Sequence, residues 1–214
     1  MTKKEKAVYF VEKLKERYPE AVCSLKADSP FQLLVATRLS AQCTDARVNL
    51  VTPQLFEKYP TPNTMAEATY KQIEDIIQSC GLYKTKAKSL VDMAIMLRDE
   101  YGGEVPNTLE ELIKLPGIGR KTANLIMGDI FDEPSSVVAD THLIRITNRF
   151  GLVTSKDPYQ VEMALRKILP PTESNDFCHR IVHFGREVCT ARNPQCETCP
   201  CNEICAKKGV HKKG

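Results

Sequence analysis

Apolar positions recur at helical spacing along almost the whole chain. Ala7, Val8, Val11, Leu14 and Tyr18 share one face of a helix near the N-terminus. Ser29-Pro30 places an N-cap and an N1 proline ahead of FQLLVATRLS. Thr69 and Gln72 have capping-box spacing before an apolar-periodic run that stops at Gly81. A further helix through KAKSLVDMAIMLRDEY ends at Gly102-Gly103. Thr108 and Glu111 repeat the capping-box spacing and open a helix whose apolar edge is Leu109, Leu112 and Leu115. Asp157-Pro158 starts YQVEMALRKIL, which stops at Pro170-Pro171. Val137-Val138 is too short for a strand, and no alternating stretch of useful length is present. The pattern predicts an all-α protein of roughly nine to eleven short helices. Internal repeats, low-complexity segments and long linkers are absent.

Composition narrows the setting more than the fold. The 214 residues suffice for one large domain or two small ones, and 42% hydrophobic residues fit a folded globular chain. The apolar runs are too short to cross a membrane, and MTKKEKAVYFVEKLKERY lacks the continuous apolar stretch of a signal peptide. The expected location is the cytoplasm, with no membrane partner. Nothing points to an oligomer, so a monomer is expected. The formal net charge of +3 permits a nucleic-acid partner without requiring one. The basic segment from Lys207 to Lys213 reads either as a solvated tail or as a contributor to DNA affinity.

The stretch LPGIGRKTA, Leu115 to Ala123, changes the picture. Pro116 ends one helix, and another begins near Arg120. Gly117 and Gly119 supply positive φ or close backbone approach. A hairpin of this kind leaves backbone N–H groups pointing outward beside a positive helix end, which suits a phosphate. A tight helix–helix turn without a ligand has the same spacing. In the second helix Ala123, Ile126, Met127 and Ile130 form the apolar stripe. At ~100° per residue Lys121 lies about opposite that stripe, so it projects into solvent or a cleft. A lysine attacks carbon only as the neutral amine, a form favoured by a helix N-terminus and a cationic neighbour.

Five of the nine cysteines fall between Cys189 and Cys205. A reducing compartment disfavours disulfides, so the first expectation there is a metal. Cys189, Cys196, Cys199 and Cys205 form C-x6-C-x2-C-x5-C, which suits zinc or an iron–sulfur cluster equally.

LPGIGRKTA resembles the helix-hairpin-helix of the endonuclease III family of DNA glycosylases. Val138-Ala139-Asp140-Thr141-His142 is similar to that family's VDTH segment. LSAQCTDARVN at 39–49, GLYKTKA at 81–87 and the C-terminal cysteines are also similar to family segments. The likeness spans essentially the whole chain. It implies removal of an oxidised pyrimidine from duplex DNA, followed by strand cleavage by β-elimination at the abasic site. It implies that Lys121 is the nucleophile and Asp140 the catalytic carboxylate, although Asp140 also reads from sequence as the N-cap of THLIRITNRF. Gln42 and Leu82, each between helices, would fill the gap left when the damaged base leaves the stack. Leu115, Gly117, Gly119, Arg120 and His142 would contact the DNA backbone. Asp45 reads as a helix cap or buried polar residue.

For the cysteines the resemblance implies a [4Fe–4S] cluster on Cys189, Cys196, Cys199 and Cys205, with Cys201 a bystander. The loop between the first two keeps Arg192 but has Asn193 and Gln195 where relatives often carry more positive charge. The implied architecture is two helical domains with DNA between them. One is a six-helix barrel from 24 to 134 containing the hairpin. The other joins 1–23 to 135–214 and carries the cluster. Two alternatives are a monofunctional relative such as an adenine-mismatch glycosylase, and a non-catalytic DNA-binding module whose four cysteines hold zinc.

Overall fold

The computed structural model describes residues 1–210. The helices are α1 (Lys3–Arg17), α2 (Pro30–Ser40), α3 (Asp45–Lys58), α4 (Pro62–Ala66), α5 (Tyr70–Ile77) and α6 (Tyr83–Glu100). They continue as α7 (Leu109–Leu112), α8 (Arg120–Asp129), α9 (Thr141–Phe150), α10 (Pro158–Arg166) and α11 (Ser174–Glu187), with a 3-10 turn at Pro171–Glu173. No strand occurs among the described residues, as the all-α expectation requires.

Most helix starts follow from local chemistry. Thr2, Thr61 and Thr69 complete capping boxes, and Ser29, Thr44 and Asp157 each accept a hydrogen bond from the third helical N–H. Three sequence readings need correction. At Thr108 only half a capping box forms, because the Glu111 carboxylate is held by Tyr101 Oη at 2.6 Å and Lys114 Nζ at 2.6 Å. The helix it opens, α7, is four residues long, with Leu115 already beyond its end. Asp45 does not cap α3; Thr44 does, and Asp45 Oδ2 instead accepts from Ser24 Oγ at 2.5 Å.

The chain divides into two compact units, one made of residues 1–22 with the chain from Asp132 onward, the other of Cys23–Phe131. In the second unit α6 packs on α4, α5 and α2, while α8 lies against α2 and α7. Leu34, Leu39, Leu55, Met65, Ile73, Ile77, Leu90 and Met93 are fully buried there. In the first unit Phe10 of α1 stacks on Phe150 of α9 at 4.2 Å and meets Phe177 and Phe184 of α11 edge-on at 5.5 and 5.7 Å. Phe10 therefore locks α1 to α9 and α11, and truncating such a buried ring costs about 3–5 kcal/mol.

Candidate functional site

The hairpin between α7 and α8 is tight. Ile118 N–H donates to Leu115 O at 3.0 Å, and the side chains of Leu115 and Ile118 are both buried. Leu115 therefore has no exposed side chain for a ligand, and its N–H already donates to Leu112 O at 3.2 Å. Gly117 has φ +78, and a Cβ there would fall 2.4 Å from Arg38 Nε and 2.9 Å from Ser89 Cβ. Arg38 Nε donates to Ser89 Oγ at 2.9 Å, so α2 and α6 jointly form the floor under the turn. Burial holds the Arg38 guanidinium below its ordinary pKa. Gly119 is exposed too but differs in its surroundings: a Cβ there would meet nothing within 4 Å. As N-cap of α8 it offers no side chain to the first N–H groups of the helix. That end presents donors and a positive dipole to open space. Arg120 and Lys121 occupy the first turn, with Lys121 exposed.

In the same unit Gln42 and Leu82 both have left-handed backbone, with φ 55 and φ 58. A non-glycine residue held there costs of order 1 kcal/mol. Both are exposed, Leu82 by 59%, which places it in solvent rather than in the core. Their loops abut, because a Cβ on Gly81 would sit 3.3 Å from Gln42 O. An amide and an exposed leucine thus project from neighbouring strained loops. Nothing in the local sequence signals either conformation, since both residue types ordinarily avoid positive φ.

In the other unit Asp140 caps α9, its Oδ1 accepting from Leu143 N–H at 2.7 Å. The preceding Val137, Val138 and Ala139 are buried and anchor it. His142 Nδ1 lies 3.2 Å from Arg145 Nη2. A guanidinium only donates, so Nδ1 accepts and the ring proton sits on Nε2. Arg145 also donates to Gly185 O at 3.2 Å and Cys189 O at 3.0 Å. The room for this comes from Gly185 of α11, where a Cβ would fall 2.4 Å from His142 Nδ1.

One turn further, Arg149 donates to Thr190 O at 2.6 Å and Ala191 O at 2.7 Å, and approaches Cys189 Sγ at 3.6 Å. Arg145 and Arg149 are four apart on α9 and together hold the start of the cysteine segment. Sequence reading passed over them, although their i, i+4 spacing directly after the Asp140 segment is visible.

Cys189, Cys196, Cys199, Cys205 and also Cys201 line one cavity with Phe10, Ile146, Phe150, Phe184 and Val188, and Arg149 and Lys207 border it. Burial pushes the Cys189 and Cys205 thiols up. Cys199 is drawn down to about 6, chiefly by its interaction with the Cys201 thiol. Cys201 is raised, first by Cys199 and then by burial, and is almost fully buried. Among the described residues no three His, Cys, Asp or Glu side chains converge as a single ion requires. The basic tail beyond Val210 lies outside the described residues.

Residues 35–171 match the family model of the HhH-GPD superfamily base excision DNA repair protein. With its hairpin, left-handed loops and cysteine segment, the chain is a helix-hairpin-helix protein of base-excision DNA repair. Within that class it belongs to the endonuclease III family. Endonuclease III of Synechocystis sp. (strain ATCC 27184 / PCC 6803 / Kazusa) is 43% identical, over 95% of this chain and 93% of the relative. Endonuclease III of Bacillus subtilis (strain 168) is 40% identical over 96% of each. The solved structure of a trapped endonuclease III–DNA covalent intermediate superposes with a TM-score of 0.91 at 42% identity, covering 97% of both chains.

Proposed function

We propose that this chain is a bifunctional glycosylase and abasic-site lyase that removes oxidised pyrimidines from duplex DNA. Lys121 carries the reading: an exposed lysine stands in the first turn of α8, at an uncapped helix end beside a glycine with open space over it. A DNA phosphate on the α8 N–H groups would fix the strand next to that amine. The Lys121 amine attacks C1′ of the extruded nucleotide, and the base departs with the bonding electrons and takes up a proton. Opening of the sugar gives a protonated Schiff base, which acidifies the C2′ hydrogen. Loss of that proton expels the 3′ phosphate, and hydrolysis returns Lys121. Asp140 would stabilise the positive charge that develops on the sugar and assist deprotonation of the amine, using the carboxylate oxygen that α9 does not occupy. His142 Nε2–H, Arg120 and the hairpin backbone at Gly117 and Gly119 are assigned to phosphates, while Leu115, whose N–H is held by Leu112 O, supports the turn. Gln42 and Leu82 are assigned to the vacated stack, the amide facing the orphaned base and the leucine wedged between base steps.

The four cysteines fit a [4Fe–4S] cluster, because four thiols line one shared, largely apolar cavity. When bound, the cluster would supply iron–thiolate bonds that tie the segment after α11 together. Cys189, Cys196, Cys199 and Cys205 are assigned as ligands. Cys201 is assigned as a hydrogen-bond donor to the Cys199 sulfur. We assign the chain a monomeric state and a cytoplasmic, nucleoid-associated location.

The test is a single-turnover assay on a duplex with one thymine glycol, with and without borohydride, using wild type and Lys121→Gln. Cleavage and a trapped covalent complex are expected for the wild type. Both are expected to vanish in the variant while duplex binding persists. Base release without cleavage or trapping would assign the chain to the monofunctional branch. Trapping retained in Lys121→Gln would place the nucleophile elsewhere.

A further inference from the structure

Behind the Gln42 and Leu82 loops lies a group that the proposed chemistry does not use. Cys80 is fully buried, while Cys43, next to Gln42, is half-buried. Cys80 belongs to the buried core cluster and Cys43 packs against that cluster, and the backbones beside them meet, since a Cβ on Gly81 would lie 3.3 Å from Gln42 O. Lys86 is also fully buried. Its Nζ donates to Leu39 O at 2.8 Å, one of the last carbonyls of α2, and its charge reaches both thiols. A buried ammonium at a helix C-terminus is electrostatically matched there, and it favours negative charge on a neighbouring sulfur. Burial foremost, with the nearby Cys43 sulfur, pushes Cys80 up to about 11. Cys80 therefore keeps its proton, and Cys43 is the more accessible of the two.

We propose that Cys43 and Cys80 are an oxidisable dithiol, a modification site that peroxides convert to a disulfide joining the roots of the two loops. The Cys43 thiolate attacks one peroxide oxygen and the O–O bond breaks. For hydrogen peroxide this leaves a sulfenic acid on Cys43 and a hydroxide that takes up a proton to become water. The Cys80 sulfur then attacks the Cys43 sulfur, and the S–O bond breaks. The departing hydroxide takes the Cys80 proton as a second water. Two thiols lose two electrons, and the peroxide gains them. The bridge would tie the two loops together through Cys43, next to Gln42, and Cys80, two residues before Leu82, and restrict their independent movement.

The test uses the full chain as isolated, with its own cofactor content, reduced and then freed of reductant. The protein is exposed to hydrogen peroxide, quenched in acid, alkylated, cut with trypsin and mapped by mass. The expected product joins LSAQCTDAR (39–47) to QIEDIIQSCGLYK (72–84), two hydrogens lighter than the sum. Dithiothreitol should reverse it, and Cys43→Ser and Cys80→Ser proteins of unchanged helix content should lack it. Recovery of both peptides unlinked and alkylated, or of Cys43 as the sulfinic acid with Cys80 still a thiol, overturns the proposal. No DNA enters this experiment, so failure of the lyase reading and failure of the dithiol are separable.

Discussion

Asp140 has two tasks that a substitution can separate. One oxygen caps α9, accepting from Leu143 N–H at 2.7 Å, while the negative charge is what the proposed chemistry requires. Asparagine retains a capping oxygen and loses the charge. Alanine loses both, and loss of an N-cap costs about 1 kcal/mol. Asp140→Asn should therefore melt close to wild type, yet release base about 100-fold more slowly or worse. Asp140→Ala should lose a comparable rate and also about 1 kcal/mol in a urea titration. Equal rates for Asn and wild type would reduce Asp140 to a cap. That cap was legible in the sequence, because an Asp before an amphipathic run is a local signal. Leu82 was legible only through family likeness. Its positive φ and its exposure are set by the packing of Gly81 against Gln42 O, a contact between segments far apart in sequence.

At the scale of the element, the two hairpin glycines are required for different reasons. Gly117 has φ +78, and its missing Cβ makes room for Arg38 and Ser89. Gly119 has φ −100, which any residue adopts, and no atom within 4 Å of the Cβ position. Gly117→Ala should therefore destabilise the protein by about 2 kcal/mol, from the left-handed backbone and the displaced arginine. Gly119→Ala should cost at most about 1 kcal/mol in stability. Its methyl group would enter the space proposed for a DNA phosphate, so the variant should bind duplex about 10-fold more weakly. Fluorescence anisotropy on an undamaged duplex and a urea melt distinguish the two effects. Unchanged affinity for the alanine at 119 would remove this helix end from the phosphate contact. The sequence carries both glycines, but not their difference. The floor under Gly117 comes from Arg38 of α2 and Ser89 of α6, brought together only by tertiary packing.

At the scale of the whole molecule, a hydrophobic core does not account for everything that is ordered. The unit of residues 23–131 has a continuous buried core across α2, α3, α5, α6 and α8. In the other unit the chain beyond α11 has no further α-helix among the described residues. Arg145 and Arg149 clasp its start through carbonyls at 189, 190 and 191. Beyond that point its cysteines face a shared cavity. The order of this segment is therefore expected to depend on iron–thiolate bonds, as small cores commonly depend on metals. Cys199→Ser should abolish the visible absorbance of the cluster. Limited proteolysis should then cut between residues 190 and 205 while sparing 23–131. Cys201→Ser should keep its colour and resist the protease like wild type, since serine can still donate to the Cys199 sulfur. The converse pattern, with colour lost at 201 and kept at 199, would make Cys201 the ligand. Spacing alone leaves zinc and iron–sulfur open, because both are met by four thiolates along a short segment. The cavity those sulfurs share is walled by the rings of Phe10, Phe150 and Phe184 and bordered by Arg149 of α9, all distant in sequence, so the sequence pattern does not reveal it.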